Sequence, residues 1–412
     1  MSRTPEVMET SSPYRGTVYY LFLLGFFAIF STTISKSPVL PLFAQSLGAG
    51  DSIIGLIAAV SPLAGILFSF PVGVLSDHLG RKKLLVCAGL VFLAAPLTYL
   101  FITDPLWLIP VRFFHGTATA ILGPVVSAVI AERFPANKGE MLGQYASATL
   151  IGRTIAPLAG GVILSLFIMY PGPLQYQMVY IVAALAAVPV LVLTLMYRED
   201  RSSALNILPL SVFRESFITF FSNPRLRGTA FVDMATYFAY GAFETFLPIF
   251  LSGRGISPYE TGIIFAVQVI MIAATKPFFG RIADKVDKRV QIVAGLLITG
   301  CATAMVTFAS SFVLLLLVSS VFGLGISIST VATSAYVADV ARKEHIGASM
   351  GALSSIMDIG QSAGPLVTGI IITAAGYSSG FLASFILTIV IAGFFAVSVR
   401  ERSAGKISAR SR

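Results

Sequence analysis

Gly73-Val74-Leu75-Ser76-Asp77-His78-Leu79-Gly80-Arg81-Lys82-Lys83 is the stretch on which the reading of this chain turns. It ends a long apolar run with an acid, a glycine and three consecutive cations. Gly73 permits close approach of helices, Gly80 turns the chain, and Asp77 stands at a helix end beside cations. A carboxylate there can face the N-terminus of a neighbouring helix, where the macrodipole is positive. A second version follows 207 residues later: Gly280-Arg281-Ile282-Ala283-Asp284-Lys285-Val286-Asp287-Lys288-Arg289. It keeps Gly280 and Asp284 but has Asp287 where the second glycine should be.

The same offset carries Leu40-Pro41-Leu42-Phe43 onto Leu247-Pro248-Ile249-Phe250 and pairs Gly48 with Gly255, Gly55 with Gly262 and Gly116 with Gly323. At an offset of 208, Gly143, Gly152 and Pro157 fall on Gly351, Gly360 and Pro365. The matches run in order over five consecutive apolar spans, so the chain reads as two copies of one six-span unit.

Of the 412 residues, 56% are apolar and only 11% charged, against roughly 25% charged in a soluble domain. Apolar runs of about 20 residues or more, enough to cross the hydrocarbon core as helices, recur along nearly the whole length. The expected spans are 17–46, 52–76, 83–103, 106–132, 139–169, 175–197, 227–252, 259–283, 290–310, 312–340, 347–376 and 379–399. The first is too long for a signal-peptide core and no small-residue cleavage pattern follows it, so it reads as a retained span. The expected divisions are an N-tail (1–16), a six-helix bundle (17–199), a polar linker (200–225), a second bundle (226–401) and a basic tail (402–412).

Lys and Arg in short loops are held on the cytoplasmic side. Of the 28 Lys and Arg, 23 lie in the tails or in every second loop; the others are Lys36, Arg112, Arg153 and Lys276 inside spans and Arg254 in one turn. Both termini are therefore expected in the cytoplasm of an inner-membrane, multi-pass protein. The net charge of +9 is this loop bias, facing an anionic leaflet, and calls for no nucleic-acid partner. Cys87 and Cys301 lie in apolar spans without metal-ligand spacing and read as small core residues.

Over its full length the 73–83 loop resembles the loop signature of the major facilitator superfamily, whose fold sets two parallel repeats about an axis along the membrane normal. The resemblance implies an all-α membrane protein of twelve transmembrane helices in two pseudo-symmetric bundles. It also implies a cytoplasmic latch made by Gly73, Asp77, Gly80 and Arg81, with Gly280 and Asp284 in the weaker copy. Arg112-Phe113-Phe114-His115-Gly116 in span 4 looks like the family's second motif, whose buried Arg is tied to proton coupling. Arg112 lies about 9 Å inside its span at 1.5 Å per residue, a costly place unless it faces a wet cavity or a partner; snorkelling to the interface is the other reading.

Span 5 carries Gly143, Gly152 and Ala156-Pro157-Leu158-Ala159-Gly160-Gly161. It is similar to the antiporter motif of the twelve-span drug:proton antiporters, with Ala156 where that family has Gly before Pro. Small residues four apart allow close packing and Pro157 bends the helix, which suits a seam between the bundles. Span 11 repeats the spacing with Gly364-Pro365 and Gly369, so packing alone also accounts for it, and export rests on the resemblance.

Ionisable residues inside spans are functional candidates by default. On span 7, Asp233, Tyr237, Tyr240, Gly241 and Glu244 share one helical face, with the two carboxylates about 16 Å apart. In the family, spans 1, 4, 7 and 10 surround the cavity, which puts Lys36, Arg112 and Glu244 at similar depth on three walls. Glu244 is the first proton-carrier candidate, followed by Asp358 and Asp233, with Lys36 or Arg112 as charge partner. A static Lys36–Glu244 pair closing the outer gate is the alternative. Lys36, Arg112, His115, Arg153, Tyr237, Tyr240, Glu244, Asp358 and Gln361 are the expected cavity residues.

The expectation is a proton-coupled exporter of amphiphilic small molecules that works by alternating access. It needs the proton gradient but no cofactor or metal, sits in a lipid bilayer and functions as a monomer. Uptake of a small organic anion or other nutrient by symport or facilitation is the runner-up, and a non-transporting receptor or scaffold a distant third. No metal-ligand helix or nucleophile signature supports an intramembrane enzyme.

Overall fold

The computed structural model describes residues 13–170, 172–198, 218, 220–341 and 346–408, and at 13–18, 70, 73–75, 77–78, 346–348 and 399–408 the backbone alone. Among the described residues every regular element is helical. Span 1 comprises Pro13–Ile34 and Val39–Ser46, and spans 2 to 6 are Asp51–Leu79, Arg81–Tyr99, Leu108–Arg133, Lys138–Leu166 and Leu174–Met196. Spans 7 to 10 are Pro224–Ser252, Pro258–Ala283, Lys288–Met305 and Phe312–Val340. Ile346–Ser408 supplies spans 11 and 12.

Ten stretches are long and apolar enough to cross a membrane. The last of them, Ser349–Ser398, is 50 residues long, twice what one crossing needs, and breaks at Gly376 with φ +82°, a conformation that favours glycine. Pro224–Ser252 is not among the ten because Asp233, Glu244 and its tyrosines make it too polar, yet it has the length. With that helix included and the last stretch divided, the molecule has the twelve transmembrane helices of the major facilitator fold. Span 1, expected to be continuous, is interrupted at 35–38, where Pro38 has no amide to offer the ladder. Most of the 200–225 linker and both extreme tails lie outside the described residues.

Helix ends follow local chemistry. Asn223 accepts from the Arg225 amide with Pro224 at the first helical position, and Ser257 and Glu260 form a reciprocal capping box. Spans 2 and 3 are joined by Gly80 alone, at φ +88°. Its counterpart Asp287 sits in a longer turn at φ −58° and caps span 9 by accepting from the Arg289 amide. The second loop therefore has no need of a glycine there. The Arg289 guanidinium, 2.6 Å away, holds the Asp287 carboxyl below the ordinary carboxylate range.

The repeat is also a repeat of contacts. Gly116 lets span 4 approach the Ser61 carbonyl of span 2, and Gly323 lets span 10 approach the Gln268 carbonyl of span 8; a Cβ at either glycine would stand 2.6 Å from that oxygen. Gly152 presses on Phe26 as Gly360 presses on Met234. Between the halves, Gly262 of span 8 meets Pro157 of span 5, and Gly55 of span 2 meets Pro365 of span 11. Gly161 meets Pro258 where Gly369 meets Asp51. Each pair maps onto its twin at the sequence offsets of 207 and 208.

These inter-half contacts lie toward the face carrying the turns near 48 and 255. There one apolar cluster runs through both halves, from Ile34, Phe43 and Tyr180 to Phe243, Phe250 and Phe381. Toward the opposite, basic face the clusters are confined to one half each. Cys87 and Cys301 are exposed rather than in the core as expected; a thiol is apolar enough to face lipid as readily as protein.

Candidate functional site

Lys36 and Glu244 meet across the seam, Nζ to Oε2 at 2.7 Å, with side chains 23% and 11% exposed. The turn at 35–38 brings Lys36 off the axis of span 1, and the polar face of span 7 carries Glu244 toward it. The two residues occupy equivalent positions of the repeats to within one residue: Phe26 and Met234 correspond at an offset of 208, Leu40 and Leu247 at 207. The ion pair therefore sits at the pseudo-two-fold axis. Further out, Tyr377 donates to Asp51 at 2.7 Å, Ser52 and Thr373 hydroxyls stand 2.8 Å apart, and the Tyr259 amide donates to Ser165 at 3.0 Å. Nearer mid-depth, Ser362 donates to the Ala59 carbonyl at 2.8 Å. No hydrogen bond joins the halves on the basic side of these among the described residues.

The other intramembrane charges divide into two groups. Arg112 and His115 are each 1% exposed and lie inside the first bundle with Tyr99 and Tyr180. The Tyr99 hydroxyl is 3.5 Å from His115 Nδ1 and its ring is 4.5 Å from that of Tyr180. Arg112 is also within Coulombic reach of Lys36, but no carboxylate lies within ion-pair distance of it among the described residues. Asp233 is 3% exposed and accepts from the Thr333 hydroxyl of span 10 at 3.1 Å.

Arg153, Tyr237, Tyr240, Asp358 and Gln361 gather below the Lys36–Glu244 pair. Arg153 is exposed and lies beside Tyr240, one turn from Pro157 on the face that meets span 8. Tyr237 stands among Arg153, Asp233 and Asp358. Asp358 crosses the seam to span 2, where a Cβ at Gly65 would stand 3.0 Å from its Oδ2. Gln361 packs its backbone on Gly241. Gly143 and Gly351, at the basic-side ends of spans 5 and 11, have nothing within 4 Å of a built Cβ. Of the span 5 motif, Gly152 faces span 1, Gly160 faces Val39 and Ile34, and Pro157 and Gly161 form the seam with span 8.

At the loop after span 2, the side chain of Asp77 and the surroundings of Gly73 lie outside the described residues. Arg81 is buried and ion-paired with Glu132 of span 4, and its counterpart Lys288 pairs with Asp339 of span 10 at 2.8 Å. Asp284 is exposed at the end of span 8, and Gly280 nears only Val331. Glu132 and Asp339 are not among the residues that motifs single out. They too are 207 apart, so testing acids as well as glycines against the repeat finds them. Tyr99 and Tyr180 carry no such signal, since only the packing of spans 3 and 6 brings them to Arg112.

Comparison with known proteins agrees with this architecture. The family model described as Major Facilitator Superfamily matches residues 21–267 and again 229–412. An uncharacterised MFS-type transporter of Methanocaldococcus jannaschii is 26% identical over 86% of this chain and 91% of its own. Multidrug resistance protein 2 of Bacillus subtilis is 23% identical over 93% and 95%. The crystal structure of a point mutant of the nucleoside transporter NupG superposes with a TM-score of 0.80 at 14% identity, over 92% of this chain and 99% of that one. With two bundles related by a repeat, an ion pair at their axis and a family match covering both halves, the chain belongs to the major facilitator superfamily of membrane transporters.

Proposed function

We propose that this transporter exports small amphiphilic molecules in exchange for protons, with Glu244 as the proton carrier and Lys36 as its partner. The observation that supports this most directly is the 2.7 Å pair they make at the axis between the halves. The basic face is taken as cytoplasmic by its Lys and Arg content, so the seam that the described residues close is the outer one. Opening the outer face must pull the pair apart, so that Glu244 faces Lys36 in one state and the external solution in the other. In the proposed cycle Glu244 collects its proton from outside and releases it toward the cytoplasm as Lys36 returns. A proton thus enters as substrate leaves, without any group other than these two and the seam.

Export is supported by relatives such as the Bacillus subtilis multidrug resistance protein at 23% identity. The span 5 motif does not weigh on direction, because Pro365 and Gly369 make the same seam as Pro157 and Gly161. Uptake by symport is therefore the competing reading. Everted vesicles separate the two: an exporter fills them when their lumen is acid, and accumulation solely by right-side-out cells would sink this proposal. In the same vesicles, E244Q should lose acid-driven accumulation while downhill exchange of substrate continues. Gradient dependence equal to wild type in that variant would remove Glu244 from the role.

A further inference from the structure

The charges below the gate are not balanced in place. Lys36 is matched by Glu244. Asp233 is buried and accepts from Thr333, and Asp358 is turned across the seam to Gly65. Arg112 is enclosed in its own bundle. That leaves Arg153 of span 5 and Lys276 of span 8, both exposed and close enough for each to feel the other's charge, with the buried Asp233 also within that reach of Lys276. No carboxylate stands within ion-pair distance of either among the described residues. The repeat sharpens the asymmetry: Arg153 corresponds to Gln361 at an offset of 208, and Lys276 to Ser69 at 207. One wall pair of the path is cationic where its symmetry mate is neutral. Two like charges converging on one space repel, and an anion between them relieves that cost.

Tyr237 and Tyr240 lie beside Arg153 with their rings 6.2 Å apart. Tyr240 stacks in turn toward the buried Phe322 at 6.5 Å, so apolar packing begins where the cations end. A guanidinium presents a planar fork that matches a carboxylate, sulfonate or phosphate, and phenols add donors at the edge of an apolar surface.

Resting on the exporter reading above, we infer that the transported amphiphile is a water-soluble organic anion whose head sits between Arg153 and Lys276 and whose apolar body lies on Tyr237 and Tyr240. The test uses two xanthene dyes of similar size and opposite charge, carboxyfluorescein and a rhodamine ester. Binding to the purified full chain is read by fluorescence polarisation, and accumulation is read in everted vesicles.

Wild type is expected to bind carboxyfluorescein in preference to the rhodamine. R153Q should weaken that binding about tenfold or more, the scale of a lost charged hydrogen bond. R153K should keep part of it, and K276Q should lose less than R153Q. Equal melting temperatures of the variants show that they fold. Preference for the rhodamine, binding of neither dye, or carboxyfluorescein binding indifferent to R153Q each overturns the inference. Displacement of the bound dye by phosphatidylglycerol nanodiscs but not by benzoate would give the site to lipid and overturn it as well. Arg153-dependent binding without accumulation in everted vesicles would leave the anion site standing and sink the export reading. Accumulation of the rhodamine alone would do the reverse.

Discussion

Lys36 and Glu244 are each ordinary in type and unusual in place. Breaking a buried pair by removing one partner costs about 3–5 kcal/mol, because the remaining charge is left uncompensated; in this molecule that cost falls on the closed outer face. K36E should therefore hold the outer side open and abolish net transport. Because the two residues occupy equivalent positions, K36E/E244K restores attraction with the signs exchanged. We expect the double variant to recover outer closure, measured by loss of external thiol labelling at a cysteine placed on Tyr240. Labelling as high as in K36E would show that the pair does not close the gate. The charged residues themselves were legible in the sequence, since few ionisable side chains enter apolar spans. The meeting of Lys36 with Glu244 was legible only as one of two pairings, with Arg112 the other candidate partner, because the choice depends on the 35–38 turn and on how the halves lean together.

At the scale of the helix, small residues decide where two spans can touch. Gly262 against the Pro157 carbonyl leaves room for hydrogen alone, and a Cβ would stand 2.6 Å from that oxygen. G262V should disfavour the closed seam by about 1–3 kcal/mol, a shift of roughly tenfold or more toward the outward-open form. G143V, on span 5 across the seam but with nothing within 4 Å, should leave the balance unchanged in the described state. Spin-label distances across the outer face would report both, and equal distances in the two variants would refute the assignment of the seam. A latch at the loop after span 2, which the family resemblance implies, would be an element-scale device too: D77N should lower turnover while substrate binding survives, and normal turnover would count against it.

The glycine spacings announced these seams in the sequence, because close packing in lipid depends on small side chains rather than on hydrophobic contrast. The apolar runs gave the spans for the same reason that they cross a bilayer. The break at Gly376 falls where the expected spans 347–376 and 379–399 divide, whereas the interruption at Pro38 was harder to read, since hydropathy continues smoothly through it.

For the molecule as a whole, every described hydrogen bond between the halves lies at mid-depth or nearer the outer face. Cross-linking that face should therefore be sufficient to stop the cycle. Ser52 and Thr373, whose hydroxyls are 2.8 Å apart, are the positions to use. S52C/T373C in a background lacking Cys87 and Cys301 should be inactive when oxidised and active again under reductant. Transport that persists with the disulfide formed would exclude rocking of the halves about this seam. The two-bundle architecture was legible from an offset of 207 residues, whereas the conformation in which the bundles meet is a property of the packed seams and has no signature in one strand of sequence.

The position of the Lys36–Glu244 pair has a consequence for how such a protein can arise. A residue on a two-fold axis confronts its own copy, so two separate, identical subunits would oppose ammonium to ammonium or carboxylate to carboxylate. Repulsion at that spot would prop the assembly apart. Attraction there became available once both copies were carried on one polypeptide and could diverge, which makes the fastening at the centre of this molecule a product of its loss of perfect symmetry.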